Sequence, residues 1–515
     1  MQRALLLILG IAAITAFEFE VFPGHTYLQG DSQLLVPVLE RLDTPGYLSR
    51  DLVATNPHVT YTIYDEVTLF LHAAGRLNFK TALLIQQISC RAAAVGGVLL
   101  LALSTGVSDG FALLIAALLN LGAALVGPAV LLTDPEPTPR AFAFGLILLA
   151  MGLLAREKPL LAGFIGGVAL VYHVPTAAPF WAVLLAAYLF ERRLRPLLRS
   201  ALSILLVFCL LLANLAQLQP GALNPEPLFA KISAPLAQLQ QFRTGYAWVS
   251  LWAGHEIWLY LGIWICGVWA TARIWPTLNI QLRWLMLALP LCGICGVPLS
   301  FVLLERIRWI LAPQLQPART LVFTVAIASL ACGLAAVRAI SVRRFREALL
   351  WSLVVLAPPF ASSFTLQRVT GPRTDNASNA AVSQIAAWAE DNTWGSSMFL
   401  FPDAGRELYP GIFRGESRRA LWADWKSGAE AIYADSAAEE WFQRWRETMQ
   451  PGFSKPRLQA TLSLPIDYYV LKRAHRLSNV RPVFENREFV VYDANELNNA
   501  PWMRGMASPP ITRPE

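Results

Sequence analysis

LLTDPEPTPRAF, residues 131–142, interrupts apolar sequence with two carboxylates, three prolines and one arginine. One run of about twenty apolar residues stops at Asp134 and another begins behind Arg140, and a bilayer core of about 30 Å asks a helix for runs of that length. Working outward from the break, the apolar runs predict eleven spans: 4–22, 81–104, 111–132, 141–155, 159–173, 176–191, 200–218, 256–273, 283–304, 320–338 and 347–363. Two of these, 141–155 and 159–173, are short for spanning, which suits tilted or broken helices.

Composition points the same way. Of 515 residues, 55% are hydrophobic and only 15% charged, with mean hydropathy +0.45; soluble domains carry about 25% charge. The first span has Arg3 ahead of LLLILGIAAITAF and no small-x-small cleavage site before FEFEVF, so it reads as an uncleaved helix with its N-terminus in the cytoplasm. Alternate counting then places LAREKP (154–159), ERRLRPLLR (191–199), the 273–283 loop and RRFRE (343–347) inside, and these are the densest basic loops. Segments 23–80, 133–140, 219–255, 305–319 and everything after 364 fall outside. The net charge of +7 thus reports membrane orientation and gives no reason to expect nucleic acid as a partner. The six cysteines lie in or beside apolar spans, which argues against a disulfide framework, and the lone Cys292-x-x-Cys295 pair reads as helix-packing material.

Beyond Pro358–Pro359 the composition changes. SNAAVSQIAAWAEDNT and SAAEEWFQRWRETMQ have helical periodicity, while SSMFLFP, DYYVLKRA and EFVVYDA predict short buried strands. The expected organisation is a helical membrane domain over 1–366 that includes the outside loop 23–80, an extracytoplasmic α/β domain over 367–498, and a disordered tail over 499–515.

The outside loops hold the polar residues of interest. In QGDSQLLVPVLERL, apolar Leu34, Leu35, Val38, Leu39 and Leu42 recur at helical spacing behind Asp31, predicting an amphipathic helix on the membrane surface with Asp31 as a candidate N-cap. Asp65 and Glu66 follow in TIYDEVTLF; adjacent helix positions do not share a face, so at most one of them points into a common site. Arg140 opens a helix at its outer end, where the dipole and the positive-inside bias both disfavour a cation, so it calls for an anionic partner: Asp134, Glu136 or a bound phosphate. The other reading is a proline-stiffened turn with an exposed ion pair of little energetic weight. Arg91, inside the second span, demands a partner within the bundle or a shifted boundary.

A carboxylate-rich first outside loop, the acidic pair of TDPEPTPR, eleven spans and a C-terminal outside domain together resemble the GT-C superfamily and bacterial integral membrane proteins of that layout. The resemblance implies a mainly α, polytopic helical membrane bundle with a small α/β extracytoplasmic domain, seated in the inner membrane of a cell envelope. It implies transfer of a sugar from a polyprenyl-phosphate donor on the outer face. Glu18, Glu20 and the lone Asp31 stand where that family's Asp-Glu or Asp-x-Asp signature follows the first span, and no standard donor motif is present.

Such a transfer needs a carboxylate to take the acceptor hydroxyl proton, and Asp31 is the candidate. It needs cations for the lipid phosphate; Arg306, Arg308 and Arg319 in ERIRWILAPQLQPAR are the candidates, with headgroup anchoring beside Trp309 as the other reading. Asp134 and Glu136 would orient the acceptor, hold Arg140 or bind a divalent cation, and His173 in VYHVPTAAPF ends a span on the outside, as a substrate contact or an interfacial residue. The competing classes are a transporter or flippase, which calls for mid-membrane carboxylates and internal repeats, and a non-catalytic envelope assembly or glycan-binding protein. For the last, IFRGESRRALWADWK (412–426) is the candidate glycan-contact surface or the face docked on the membrane half.

Overall fold

In a bilayer core the backbone has to close its hydrogen bonds within the segment, so long apolar runs become helices. A computed structural model of the chain describes residues 2–56, 62–218, 229–370, 376–432, 435–450 and 452–499. Each of the eleven apolar segments contains a helix there. Among the described residues six helices are long and apolar enough to cross a membrane, and four more apolar helices have 10–17 residues. The chain is a polytopic, mainly helical membrane protein with a small sheet in its C-terminal part.

It divides into two compact units, Met1–Tyr27 with His58–Gly371, and Leu28–Pro57 with Pro372–Glu515. In the first, the apolar window ending at Ser341 is 94% buried, against 11% for the one in Gln2–Glu20, so the former is central and the latter peripheral. Phe79–Ser104 and Pro139–Ala155 run in close backbone contact: a Cβ on Gly97 or Gly145 would collide with the backbone of Leu148 or Cys90. Small residues permit that approach, and it brings Arg91 up to the loop that opened the sequence.

The run 111–132 is not one span. Its helix is Asp109–Asn120, about 18 Å long at 1.5 Å per residue, and the rest forms a hairpin with Ala124 opposite Leu131 and Leu125 opposite Val130. Gly122 at φ +82 turns the chain out of the helix, and Pro128 lacks the N–H a continuing helix requires. Apolar composition alone does not register either break.

The second unit holds a five-stranded sheet ordered Ala420–Leu421, Met398–Leu400, Tyr468–Lys472, Phe489–Asp493, Phe484–Glu485. The first three are mutually parallel and the last two add antiparallel. Strands Met398–Leu400, Tyr468–Lys472 and Phe489–Asp493 and helices Asn376–Asn392 and Asp435–Met449 coincide with the segments expected from periodicity, and the two-residue strands Ala420–Leu421 and Phe484–Glu485 were not expected.

Segment 28–57 belongs to this unit and not to the membrane helices. Its helix Ser32–Asp43 buries Ser32, Gln33, Val36, Pro37, Val38 and Leu39, a face that keeps Val38 and Leu39 of the expected stripe and turns away from Leu34, Leu35 and Leu42. The reason is polar: Gln33 Nε2 donates to the carbonyls of Leu28 and Leu408, and the fully buried Arg414 donates to the Gln33 carbonyl. Arg414 also bonds Asp424 at 2.8 Å and lies 3.7 Å from Asp51, whose carboxylate accepts from the amides of Val53, Ala54 and Leu421. Segment 412–426 is therefore largely interior to the second unit, with Arg414 among its most buried side chains, and does not form an open glycan-contact surface.

Candidate functional site

The loop before Pro139–Ala155 is built as a helix entry. Thr138 caps the helix by accepting from the Ala141 amide, and Pro139 takes the first turn, where its missing N–H costs nothing. Asp134 organises the loop: Oδ1 accepts from the Glu136 amide at 3.1 Å, and Oδ2 accepts from Thr138 Oγ1 at 3.3 Å and from Arg140 at 2.7 Å. The Asp134 and Arg140 side chains are only 9% and 18% exposed. This is a sheltered ion pair, and the exposed turn of low energetic weight does not describe it.

The loop is also gripped from behind. Arg91 donates to the carbonyls of Glu18, Gly24 and Asp134, and Gln87 donates to the carbonyl of Pro135. The charge in the second span therefore has its partners inside the bundle. Tyr64 donates to the Pro137 carbonyl at 2.9 Å, fixing the start of helix Tyr64–Gly75 beside the same loop.

A cleft in the first unit is lined by Asp134, Arg140, His173, Thr176, Gln314 and Arg319. His173 joins Pro159–Tyr172 to Val174–Phe190; its Nδ1 accepts from the Thr176 amide, which leaves the ring proton on Nε2. Arg319 donates to the carbonyls of Pro128 and Ala129 and lies over the Tyr246 ring at 4.7 Å. A neighbouring cavity, lined by Gln87, Arg91 and Asn120, shares Asp134 as a wall.

Four candidates, Asp134, Arg140, His173 and Arg319, thus meet at one cleft. Glu136 is buried in the same loop. Asp65 and Glu66 sit in the first turn of Tyr64–Gly75. Asp65 is 4% exposed, and burial, reinforced by the Glu66 carboxyl, pushes it up to about 8. Arg306 is exposed over the Phe301 ring and Arg308 is exposed, and neither lines the cleft. Asp31 lies in the second unit, where Lys426 Nζ reaches its Oδ1 at 2.7 Å. It occupies the N-cap position of Ser32–Asp43 without a side-chain capping bond.

Among the described residues no group of three or more His, Cys, Asp or Glu side chains is placed to hold a metal ion. Both Asp134 oxygens already accept hydrogen bonds, one of them from a cation, so the Asp134 and Glu136 pair fits a divalent ion poorly. Sequence reasoning missed Thr176, Gln314 and Lys426, none of which carries a local signal.

No protein-family model matches the chain, and no curated protein matches it in sequence. Among solved structures it is similar to ArnT from Cupriavidus metallidurans in the apo state, with 13% identity over 95% of this chain and 97% of that chain and a TM-score of 0.43. It is also similar to the same protein bound to undecaprenyl phosphate, with 12% identity, the same coverage and a TM-score of 0.35. Likeness at these values carries no argument about reaction or ligand.

Proposed function

We propose that this chain is an integral membrane glycosyltransferase of GT-C type, moving a sugar from a polyprenyl-phosphate donor to an acceptor at the outer face of the inner membrane. The supporting observation is the cleft in which Arg140 and Arg319 stand beside His173 and Asp134. Two guanidinium groups and an Nε2–H are phosphate-binding chemistry, and arginine offers the paired donors that a phosphate accepts best.

In the transfer the acceptor oxygen forms a bond to the anomeric carbon as the bond from that carbon to the phosphate oxygen breaks. The hydroxyl proton passes to a carboxylate and the charge passes to the lipid phosphate. Arg140 and Arg319 are proposed to hold the departing phosphate. Asp134 keeps Arg140 in place, and Glu136, Asp65 and Glu66 supply acceptor contacts. The proposed orientation has the N-terminus in the cytoplasm and the second unit outside, as the basic loops require.

The test is polyprenyl-phosphate binding to the full chain in nanodiscs. Charge-assisted contacts are worth about 1.5–3 kcal/mol, so Arg319→Gln should bind about tenfold more weakly or worse, with Arg306→Gln unchanged. Equal affinity in wild type and both variants would remove the phosphate reading of the cleft.

A further inference from the structure

In sheets with parallel strands, ligands bind beyond the carboxyl ends of those strands. In the second unit Met398–Leu400 and Tyr468–Lys472 are parallel neighbours, so the segments that leave them emerge on one edge. The first delivers Asp403 and Glu407; the second ends in Lys472 and turns through Arg473–His475.

These residues form one cluster. The Asp403 side chain is 2% exposed; its Oδ2 accepts from the Lys472 amide at 2.6 Å and from His475 Nδ1 at 2.9 Å. Burial pushes its carboxyl up, against the pull of His475 and Lys472. Tyr409, 1% exposed, turns its hydroxyl toward Asp403, so the carboxylate is enclosed on its inner side.

The imidazole is held twice. Asp403 fixes the proton on Nδ1, and Phe453 stacks on the ring at 4.5 Å and 16°. A buried carboxylate that sets the tautomer and orientation of a histidine prepares its other nitrogen for an outside group. Here that nitrogen is Nε2, on a ring 39% exposed. Beside it Lys472 Nζ bonds Glu407 Oε1 at 2.7 Å, the lysine half-buried and the carboxylate exposed, and Phe453 is half-buried.

We infer that this edge is a second binding site, for a neutral saccharide, with His475 Nε2 accepting a hydrogen bond from a sugar hydroxyl. A site that pairs an acceptor nitrogen with one ammonium donor and one carboxylate matches neighbouring hydroxyls, each of which both donates and accepts. Asp403 and Glu407 oppose an anion there, and Lys472 opposes a cation. The half-buried Phe453 supplies apolar surface for the sugar's C–H face. The inference is independent of the transfer reaction and of the cleft in the first unit.

The experiment is saturation-transfer NMR on the full chain in detergent, with maltose and N-acetylglucosamine as neutral probes and glucose 6-phosphate as the anionic comparison. Wild type should saturate the neutral sugars, and His475→Leu should cut the signal at least fivefold. His475→Gln, which keeps an acceptor, should retain part of it, and Arg319→Gln, which alters only the first unit's cleft, should retain all of it. His475→Leu changes a surface side chain, and an unshifted melting curve would confirm that its loss is local. No signal in wild type, an equal signal in His475→Leu, or a stronger signal from glucose 6-phosphate would each overturn the inference.

Discussion

Lys426 Nζ lies 2.7 Å from Asp31 Oδ1, across 395 positions of sequence. Segment 28–57 is folded into the C-terminal unit, and the ammonium holds the carboxylate that the sequence singled out as candidate base. Asp31→Asn should abolish sugar transfer while insertion and melting stay as in wild type. Lys426→Met should lower kcat more than it raises KM, with Lys426→Arg restoring most of the rate. Asp31 is 42% exposed, so the pair itself contributes under about 1 kcal/mol to stability. Full activity in Asp31→Asn would transfer the role of base to Asp65, Glu66 or Asp134.

Arg140→Gln removes the cation from the sheltered Asp134 pair. Polyprenyl-phosphate affinity should fall about tenfold or more, the scale of a charge-assisted contact of about 1.5–3 kcal/mol. Isothermal titration of the nanodisc-embedded variant checks this. A shifted melting temperature with unchanged affinity would make the Asp134–Arg140 pair purely structural.

Asp65 gives a pH dependence whose sign follows from its burial. Its carboxyl is raised from the ordinary 3.8 to about 8, so the folded state favours the protonated form. The stability this supplies is complete below about pH 4, declines as pH rises, and is lost by about pH 8. Melting of wild type should therefore fall between pH 5 and pH 8.5, and Asp65→Asn should flatten that slope and melt higher at pH 8.5. Parallel slopes in the two proteins would remove Asp65 as the cause.

Arg414 is buried against Asp424, Ser427 and the Gln33 carbonyl. Arg414→Met strands two buried carboxylates, a change that costs about 3–5 kcal/mol. Hydrogen exchange should accelerate together in residues 28–56 and 376–499 and stay slow in the membrane helices. Acceleration confined to 376–499 would contradict the inclusion of the first loop in that unit.

Topology is checked by reporter fusions after Arg346 and after Gly371, which should report opposite sides of the membrane. The same side for both would delete the last span and reverse the placement of the second unit.

The apolar segments were legible from sequence because the constraint acts locally: a backbone without water must bond to itself, and about twenty apolar residues announce where. Three strands and the helices Asn376–Asn392 and Asp435–Met449 of the C-terminal part were legible by the same kind of local periodicity, and its short strands Ala420–Leu421 and Phe484–Glu485 were not. The demand of Arg140 for an anion was also legible, since a cation at a helix N-terminus is disfavoured on its own terms. The hairpin hidden in 111–132 was not, because Gly122 and Pro128 redirect a chain that is apolar throughout. Nor was the company of Asp31. Whether the first loop lies on a membrane or inside a domain depends on Arg414, Leu421 and Lys426, which meet it only when the chain folds back over 370 residues or more. The cleft is of the same kind: Asp134 and Arg140 announce themselves within seven residues, but His173 and Arg319 join them only through helix packing. Sequence records which charges need partners, and tertiary structure decides which partners come within 3 Å, because hydrogen bonds and ion pairs act at contact distance and chain position sets no such distance.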